Sequence, residues 1–200
     1  MKTIYILLIA LLVTTCDSDD TVDPASLLPP ITMTGENTFG CLIDGKFFRP
    51  RDGRSTINSD NRGLRVVQTE TDNWEIHVFD RKSERTGSLY IHIEDFFVNS
   101  IGIYQINAAN GLRGIDGPNN SYIYGRFWNP KTENYSNYHS FIDSGFIDIL
   151  ADNHNPGSYY IISGTFNAHL VNIDNAADSL YISKGRFDID SISLQFTSFD

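Results

Sequence analysis

The residues with the most chemical potential alternate along two neighbouring runs, Trp74–Asp80 and Leu89–Phe96. Trp74, Ile76 and Val78 share one face of the first run; Leu89, Ile91 and Ile93 share one face of the second, as a period of two requires. Joining those apolar faces in a hairpin centred near Glu84-Arg85 sets His77 opposite His92 and Glu75 opposite Glu94, on the other face. Two imidazoles and two carboxylates are a donor set for zinc or copper. The same alternation also puts polar residues on the solvated side of any antiparallel sheet, whatever its function. A second group is aromatic and amide-rich: Tyr122-Ile123-Tyr124-Gly125-Arg126-Phe127-Trp128, then Asn134-Tyr135 and Asn137-Tyr138-His139. Sugar rings stack on large rigid aromatic faces while amides and carboxylates take their hydroxyls. Tyr135 and Tyr138 fall in what reads as a polar loop with little reason for burial, so they and Trp128 are the candidate ligand contacts. Oxygen-rich turns, Asp148 with Asp152-Asn153 and Asp174-Asn175 with Asp178, offer calcium ligands, but without the spacing of a dedicated loop. Turn chemistry explains them as well.

Motifs for catalysis are missing from the sequence. There is no Gly-x-Ser-x-Gly elbow, phosphate-cradling glycine loop, dinucleotide fingerprint or His-Glu-x-x-His. A hydrolase built on paired carboxylates is less favoured, because 25 acidic residues leave no pair standing out. The expectation is a non-enzymatic binding module with no cofactor.

Strands must position these residues. Asp44-Gly45 between Phe39–Ile43 and Lys46–Phe48 is a strong hairpin signal. Further strands are expected at Leu64–Thr69, Trp74–Asp80, Leu89–Phe96, Gly102–Asn107, Ser121–Trp128, Gly145–Leu150, Tyr159–Leu170, Leu180–Ile189 and Ile192–Phe196. Asp52-Gly53, residues 116–120 and residues 153–157 read as turns. No helical stripe follows the N-terminal segment. Many short strands with frequent turns predict one all-β domain over residues 31–200, an antiparallel β-sandwich, with a β-barrel as the alternative. In Leu180–Ile189 the apolar parity switches near Gly185, where a bulge would absorb one residue. Gly-x-Phe recurs at Gly125, Gly164 and Gly185, which reads as a glycine beside a large core aromatic.

Composition narrows the setting. Hydrophobic residues make up 40% and aromatics 12% of 200 residues, enough for one sizeable core. The formal charge of −10 and the lack of a Lys/Arg run argue against nucleic acid as a partner. At the N-terminus, Met1-Lys2 precedes an apolar stretch, Ile4–Val13, of signal-peptide length and too short to span a bilayer. Val13-Thr14-Thr15-Cys16 then resembles a bacterial lipobox, with Thr15 where Gly, Ala or Ser is usual. Residues 1–15 are thus read as a lipoprotein signal peptide. Cys16 becomes the lipidated mature N-terminus, and residues 16–30 an acidic tether ending in Pro29-Pro30. Acyl chains at about 0.8 kcal/mol per buried CH₂ would hold the protein to a membrane. Asp17-Ser18-Asp19-Asp20 resembles the acidic signal that exports Bacteroidota lipoproteins to the outer face of the outer membrane. With Cys16 lipidated, Cys41 stays unpaired, a small apolar side chain in a buried strand. Asp20-Thr21-Val22, Asp178-Ser179-Leu180 and Asp190-Ser191-Ile192 resemble Bacteroidota O-glycosylation acceptors.

The run Thr34-Gly35-Glu36-Asn37-Thr38-Phe39-Gly40-Cys41-Leu42-Ile43-Asp44-Gly45-Lys46, preceded by Leu28-Pro29-Pro30, resembles the opening of an uncharacterised family of Bacteroidota surface lipoproteins. Ser163-Gly164-Thr165-Phe166 and Gly185-Arg186-Phe187-Asp188 are similar to its closing strands. The resemblance implies an outer-membrane surface location and this fold, but carries no established activity. The expected partners are the membrane, through the anchor, and a glycan or an envelope protein; an accessory role in an envelope assembly is the competing expectation.

Overall fold

A computed structural model describes residues 22–54, 61–68, 71–85, 87–110, 119–155 and 159–200. Cys16, the signal segment, the acidic run after it and the turn at 116–118 lie outside these residues. The strands are β1 (Thr38–Ile43), β2 (Lys46–Phe48), β3 (Leu64–Gln68), β4 (Trp74–Phe79), β5 (Gly87–Ile93), β6 (Gly102–Ile106), β7 (Tyr122–Asn129), β8 (Asn134–Asn155), β9 (Tyr159–Asn172) and β10 (Ser179–Asp190). A one-turn helix, α1 (Phe96–Asn99), follows β5. All named strand pairs are antiparallel, as expected, and they form one sheet in the order β2-β1-β10-β9-β8-β7-β5-β4-β3, with β6 beside β8. The sheet curls into a half-barrel, an arrangement consistent with the sandwich and barrel expectations alike.

Curling buries the inner face against itself. Phe48 of β2 meets Phe127 of β7 edge-on at 5.7 Å, and Trp74 of β4 meets Phe187 of β10 at 6.1 Å. The apolar faces read from the sequence supply this core, since Ile76, Val78, Leu89, Ile91 and Ile93 are all buried. Beyond β2 the chain crosses to β4: Arg51 bridges Asp80, its amide bonds the Phe79 carbonyl at 3.0 Å, and the two side chains form an ion pair. That crossing draws the two ends of the sheet together.

Local chemistry accounts for the turns and bulges. Asp44 and Gly45 both have positive φ (47° and 77°), the backbone that a two-residue hairpin needs. The bulge near Gly185 is present: the β9–β10 register shifts between Ile182 and Gly185. The Gly-x-Phe triplets of β9 and β10 pair in opposite directions, so Gly185 lies across from Phe166 and Gly164 across from Phe187. A Cβ on Gly185 would come within 2.5 Å of the Phe166 ring, and one on Gly164 within 2.8 Å of the Phe187 ring. Each glycine makes room for the other strand's phenyl ring, which confirms the structural reading of the triplet.

Three expectations need correction. Asn134–His139 read as a polar loop but open the 22-residue β8. Polar groups here find partners within the sheet: Asn137 Oδ1 accepts from the Tyr124 hydroxyl at 2.7 Å, and buried Ser140, next along β8, accepts from the Ile123 amide at 3.0 Å and donates to the Asn107 carbonyl at 2.6 Å. Ile192–Phe196 is no strand; it turns into a 3-10 segment, Leu194–Phe196. The edges of β10 are already paired with β1 and β9, and the Asn37 amide holds Ser193 and Thr197 at 2.9 Å each. The expected strand through Phe96 ends at Ile93, because Asp95 turns left-handed (φ 50°) into α1. Cys41 is unpaired and fully buried, and burial pushes its thiol far above the usual range.

The lead-in to β1 is fastened by a single carboxylate. Asp188, 1% exposed on β10, accepts from the Thr32 hydroxyl (2.6 Å), from the amides of Thr34 (3.1 Å), Gly35 (2.9 Å) and Glu36 (3.2 Å), and from Ser163 (2.6 Å). Gly35 takes φ +79° here, and a Cβ would meet that of Asp190 at 2.9 Å. The Thr34-Gly35-Glu36 run and the Phe187-Asp188 run, distant in sequence, thus meet in one clamp. Further back, Pro24–Leu27 forms a 3-10 turn against β2, and Arg186 donates to the Pro29 carbonyl at 3.1 Å. The C-terminal part of the expected tether therefore lies on the sheet.

Candidate functional site

The four candidate metal ligands do come together, but as a hydrogen-bonded chain. His77 Nε2 donates to Glu75 Oε2 at 2.7 Å, His92 Nδ1 to Glu75 Oε1 at 2.9 Å, and His92 Nε2 to Glu94 Oε2 at 3.1 Å. The register differs from the expected one by two residues: Glu75 faces His92 and His77 faces Tyr90. Both registers keep the apolar faces together, so the turn decides. Asp80 Oδ1 accepts from the amides of Lys82 and Ser83 at 3.1 Å each and centres the turn earlier than Glu84-Arg85. Nor is this face solvated. Glu75 is 4% exposed and His92 1%, with the Tyr122 ring stacked on His92 at 4.5 Å and Tyr90 edge-on to His77 at 4.8 Å.

Chemistry follows from the geometry. Both His92 ring nitrogens face carboxylates, which only accept, so the arrangement favours the imidazolium, the form that donates from both. Burial alone would lower its pKa, but the bonds to Glu75 and Glu94 raise it. Burial would likewise raise Glu75, yet hydrogen bonds and charge from His77 and His92 outweigh it and leave the carboxyl at about 2. A metal needs neutral imidazole with a free lone pair. In this arrangement it would have to displace the carboxylates and a proton from His92. Among the described residues, no group of three or more His, Cys, Asp or Glu side chains is placed to hold a metal ion. One equivalent of zinc or copper should leave the thermal midpoint unchanged; a rise of several degrees that EDTA reverses would restore the metal assignment.

The aromatic candidates divide. Tyr138 is 2% exposed, on β8, in contradiction to its expected exposed loop position. Alternation along β8 turns it inward, where its hydroxyl donates to Asp178 Oδ2 at 2.9 Å and accepts from Asn129 at 3.3 Å. Asp178 Oδ2 also accepts from Asn129 (2.9 Å) and Asn172 (2.8 Å). Burial first, then the Asp178 carboxylate, pushes the Tyr138 phenol up to about 12. Trp128 and Tyr135 are direct partners across β7 and β8, and their rings meet edge-on at 5.4 Å. Tyr135 is 36% exposed and Trp128 half-buried. The Arg85 guanidinium sits 5.0 Å from the Trp128 ring centre and that of Arg126 4.5 Å from the Tyr135 ring centre.

Trp128 and Tyr138 both line a depression of about 430 Å³ at the end of the half-barrel where four connections meet. The β1–β2 turn brings Asp44, the β4–β5 turn Arg85, the β7–β8 turn Lys131, and the start of β10 Ser179. Tyr135 and Arg126 line an adjoining groove with Ser83, Ser88 and Tyr90. The Trp128–Tyr135 pair forms the wall between the two. Sequence reasoning named Asp178 only as a turn oxygen for calcium and gave the arginines no role, because nothing in their local pattern marks where the β9–β10 and β4–β5 turns meet. Of the two oxygen-rich groups proposed for calcium, Asp148, Asp152 and Asn153 lie within β8 and not in a turn, and Asp152 accepts from the distant Ser100 hydroxyl. In the second, Asn175 Oδ1 accepts from the Ala177 amide, Asn172 Oδ1 accepts from the Asp174 amide, and Asp178 Oδ2 accepts from Asn129, Tyr138 and Asn172.

The chain matches no family model, no curated protein and no solved structure.

Proposed function

We propose that this chain is a non-enzymatic binding module, carried on a bacterial outer membrane by a lipidated Cys16, that takes a saccharide at the depression lined by Trp128 and Tyr138. One observation carries the reading: aromatic rings and a satisfied amide–carboxylate network share a concavity of about 430 Å³, within the usual size for small-ligand sites. Asn129, Tyr138 and Asp178 fix one another, so polar groups for sugar hydroxyls are held in place before a ligand arrives. The location belongs to the same reading and rests on Val13–Cys16, the acidic run after it, and the likeness of residues 34–46 to Bacteroidota surface lipoproteins.

A glycan array on the detergent-solubilised full chain, followed by calorimetry, tests the site. Trp128→Ala and Tyr135→Ala should each weaken the bound glycan about tenfold, while Tyr138→Phe, which keeps the ring, should lose less. No binding to any glycan, or binding unchanged in both alanine variants, removes the saccharide reading. Globomycin should block maturation and labelled palmitate should enter the chain; a mature protein without acyl groups removes the anchor.

A second reading, an accessory of an envelope assembly, draws on apolar side chains about β6 and the middle of β8. Ile101, Ile103 and Ile142 are 59%, 71% and 71% exposed. Exposed apolar side chains of this size are candidate points of protein contact. Cross-linking in cells that captures one envelope protein through Ile103 and Ile142, with the array blank, would favour it.

A further inference from the structure

The proposed saccharide site carries charge of the opposite sign to the chain as a whole. Lys46, Arg85 and Lys131 line the depression, and Arg81 and Arg126 the adjoining groove. Facing these five cations are three carboxylates: Asp44, Asp80 and Asp178. Asp80 is already paired with Arg51, and Asp178 Oδ2 already accepts from three donors. Among the described residues Lys46, Arg85, Arg126 and Lys131 have no ion pair, and all four are exposed. Arg85 and Arg126 instead lie against Trp128 and Tyr135. In a protein of net charge −10, unpaired cations gathered at one end raise the local concentration of anions there.

We infer that the ligand is an anionic saccharide, one whose ring meets the Trp128–Tyr135 wall while its carboxylate or sulfate is taken by Arg85 and Arg126. This rests on the saccharide reading and narrows it to a class. Guanidinium suits the task, because its planar fork matches carboxylate and sulfate oxygens while its face lies against a ring. An arginine already held over an aromatic side chain loses less freedom when it binds than a free one.

Calorimetry of the full chain in detergent would compare polygalacturonate, chondroitin sulfate, the neutral glucan laminarin and a single-stranded oligonucleotide. The expected result is that one or both acidic glycans bind at least about tenfold more tightly than laminarin. Raising salt from about 0.05 M to about 0.5 M should weaken that binding strongly. Arg85→Gln and Arg126→Gln should each weaken the acidic glycan several-fold and laminarin by distinctly less, so that the ratio between the two falls. If either arginine variant melts early, Lys131→Gln, a change at a cation of the same depression, should likewise weaken the acidic glycan more than laminarin. Polygalacturonate binding would identify carboxylate as the recognised group; chondroitin sulfate, which carries both anions, would identify sulfate if its binding is lost on desulfation. Laminarin binding as tightly as the acidic glycans, salt-independent binding, or equal binding by the oligonucleotide would overturn the inference while leaving a ligand site. Failure of every saccharide would instead overturn the reading beneath it.

Discussion

Replacing Asp188 by alanine should cost about 4 kcal/mol of folding stability, read as a fall in the urea midpoint with little change in slope. Five donors converge on this carboxylate, three of them consecutive backbone amides of the segment that leads into β1. Bonds to an ionised acceptor are worth about 1.5–3 kcal/mol each, but they are not additive, and the freed amides of residues 34–36 can turn to water. Ser163 has no such route, being fully buried. Its orphaned hydroxyl makes the loss larger than an exposed cap would give. Asp188→Asn keeps the shape and one acceptor oxygen and should lose about half as much. Limited proteolysis supplies a second reading, since cleavage between residues 29 and 37 should appear in the alanine variant before the sheet unfolds. A loss under about 1 kcal/mol would show that the lead-in is held instead by Leu28 and Pro29, whose side chains lie so close over Gly40 that a Cβ there would come within 2.7 Å of Pro29. Burial would raise the Asp188 pKa, but the bonds from Ser163, Thr32, Gly35 and Glu36 hold it below the usual carboxylate range. Its contribution is therefore present above the unfolded value of about 3.9 and fades as pH falls through the folded one.

The buried chain His77–Glu75–His92–Glu94 should give the second large effect. Glu75→Leu removes the anion between two imidazoles and should cost about 3 kcal/mol, because His92 is left almost wholly buried with only the Glu94 bond. Adding His92→Leu should restore part of that loss, since an apolar pair of similar volume needs no solvation. Titration gives the sign independently. Glu75 is lowered to about 2, so its stabilisation is complete above about 4.3 and lost as pH falls towards 2. His92 is raised, so its stabilisation is complete below about 6.5 and lost as pH climbs through the folded value. The wild-type chain should be most stable between about pH 4.5 and 6.5. Denaturation across pH 3 to 9 checks this, and the double leucine variant should lose the decline above pH 6.5. A wild-type profile that stays flat from pH 6 to 9 would count against a protonated, paired His92.

How far the sequence could be read depended on whether the signal was local. Period two in Trp74–Asp80 and Leu89–Phe96 was visible because every second side chain faces the core. Asp44-Gly45 marked a hairpin through its own backbone preference, and Gly185 marked a bulge through a change of parity. By contrast, Asn134–His139 concealed a strand, because its polar residues find partners on neighbouring strands that no window of sequence contains. The Glu/His face was legible as a set of residues but not as a buried one.

The sequence by itself determined the class of fold, the Asp44-Gly45 hairpin, the core faces of β4 and β5 and the aromatic character of residues 122–138. Each of these follows from interactions a few residues apart or from side-chain polarity. Tertiary structure alone decided that Asp188 would clamp Thr34–Glu36, that Tyr138 would turn inward to Asp178, and that scattered arginines and lysines would ring one end of the half-barrel. The physical reason is that curling a sheet brings together turns separated by up to about 130 residues, and electrostatic and hydrogen-bonded contacts act across space without leaving a trace in sequence spacing.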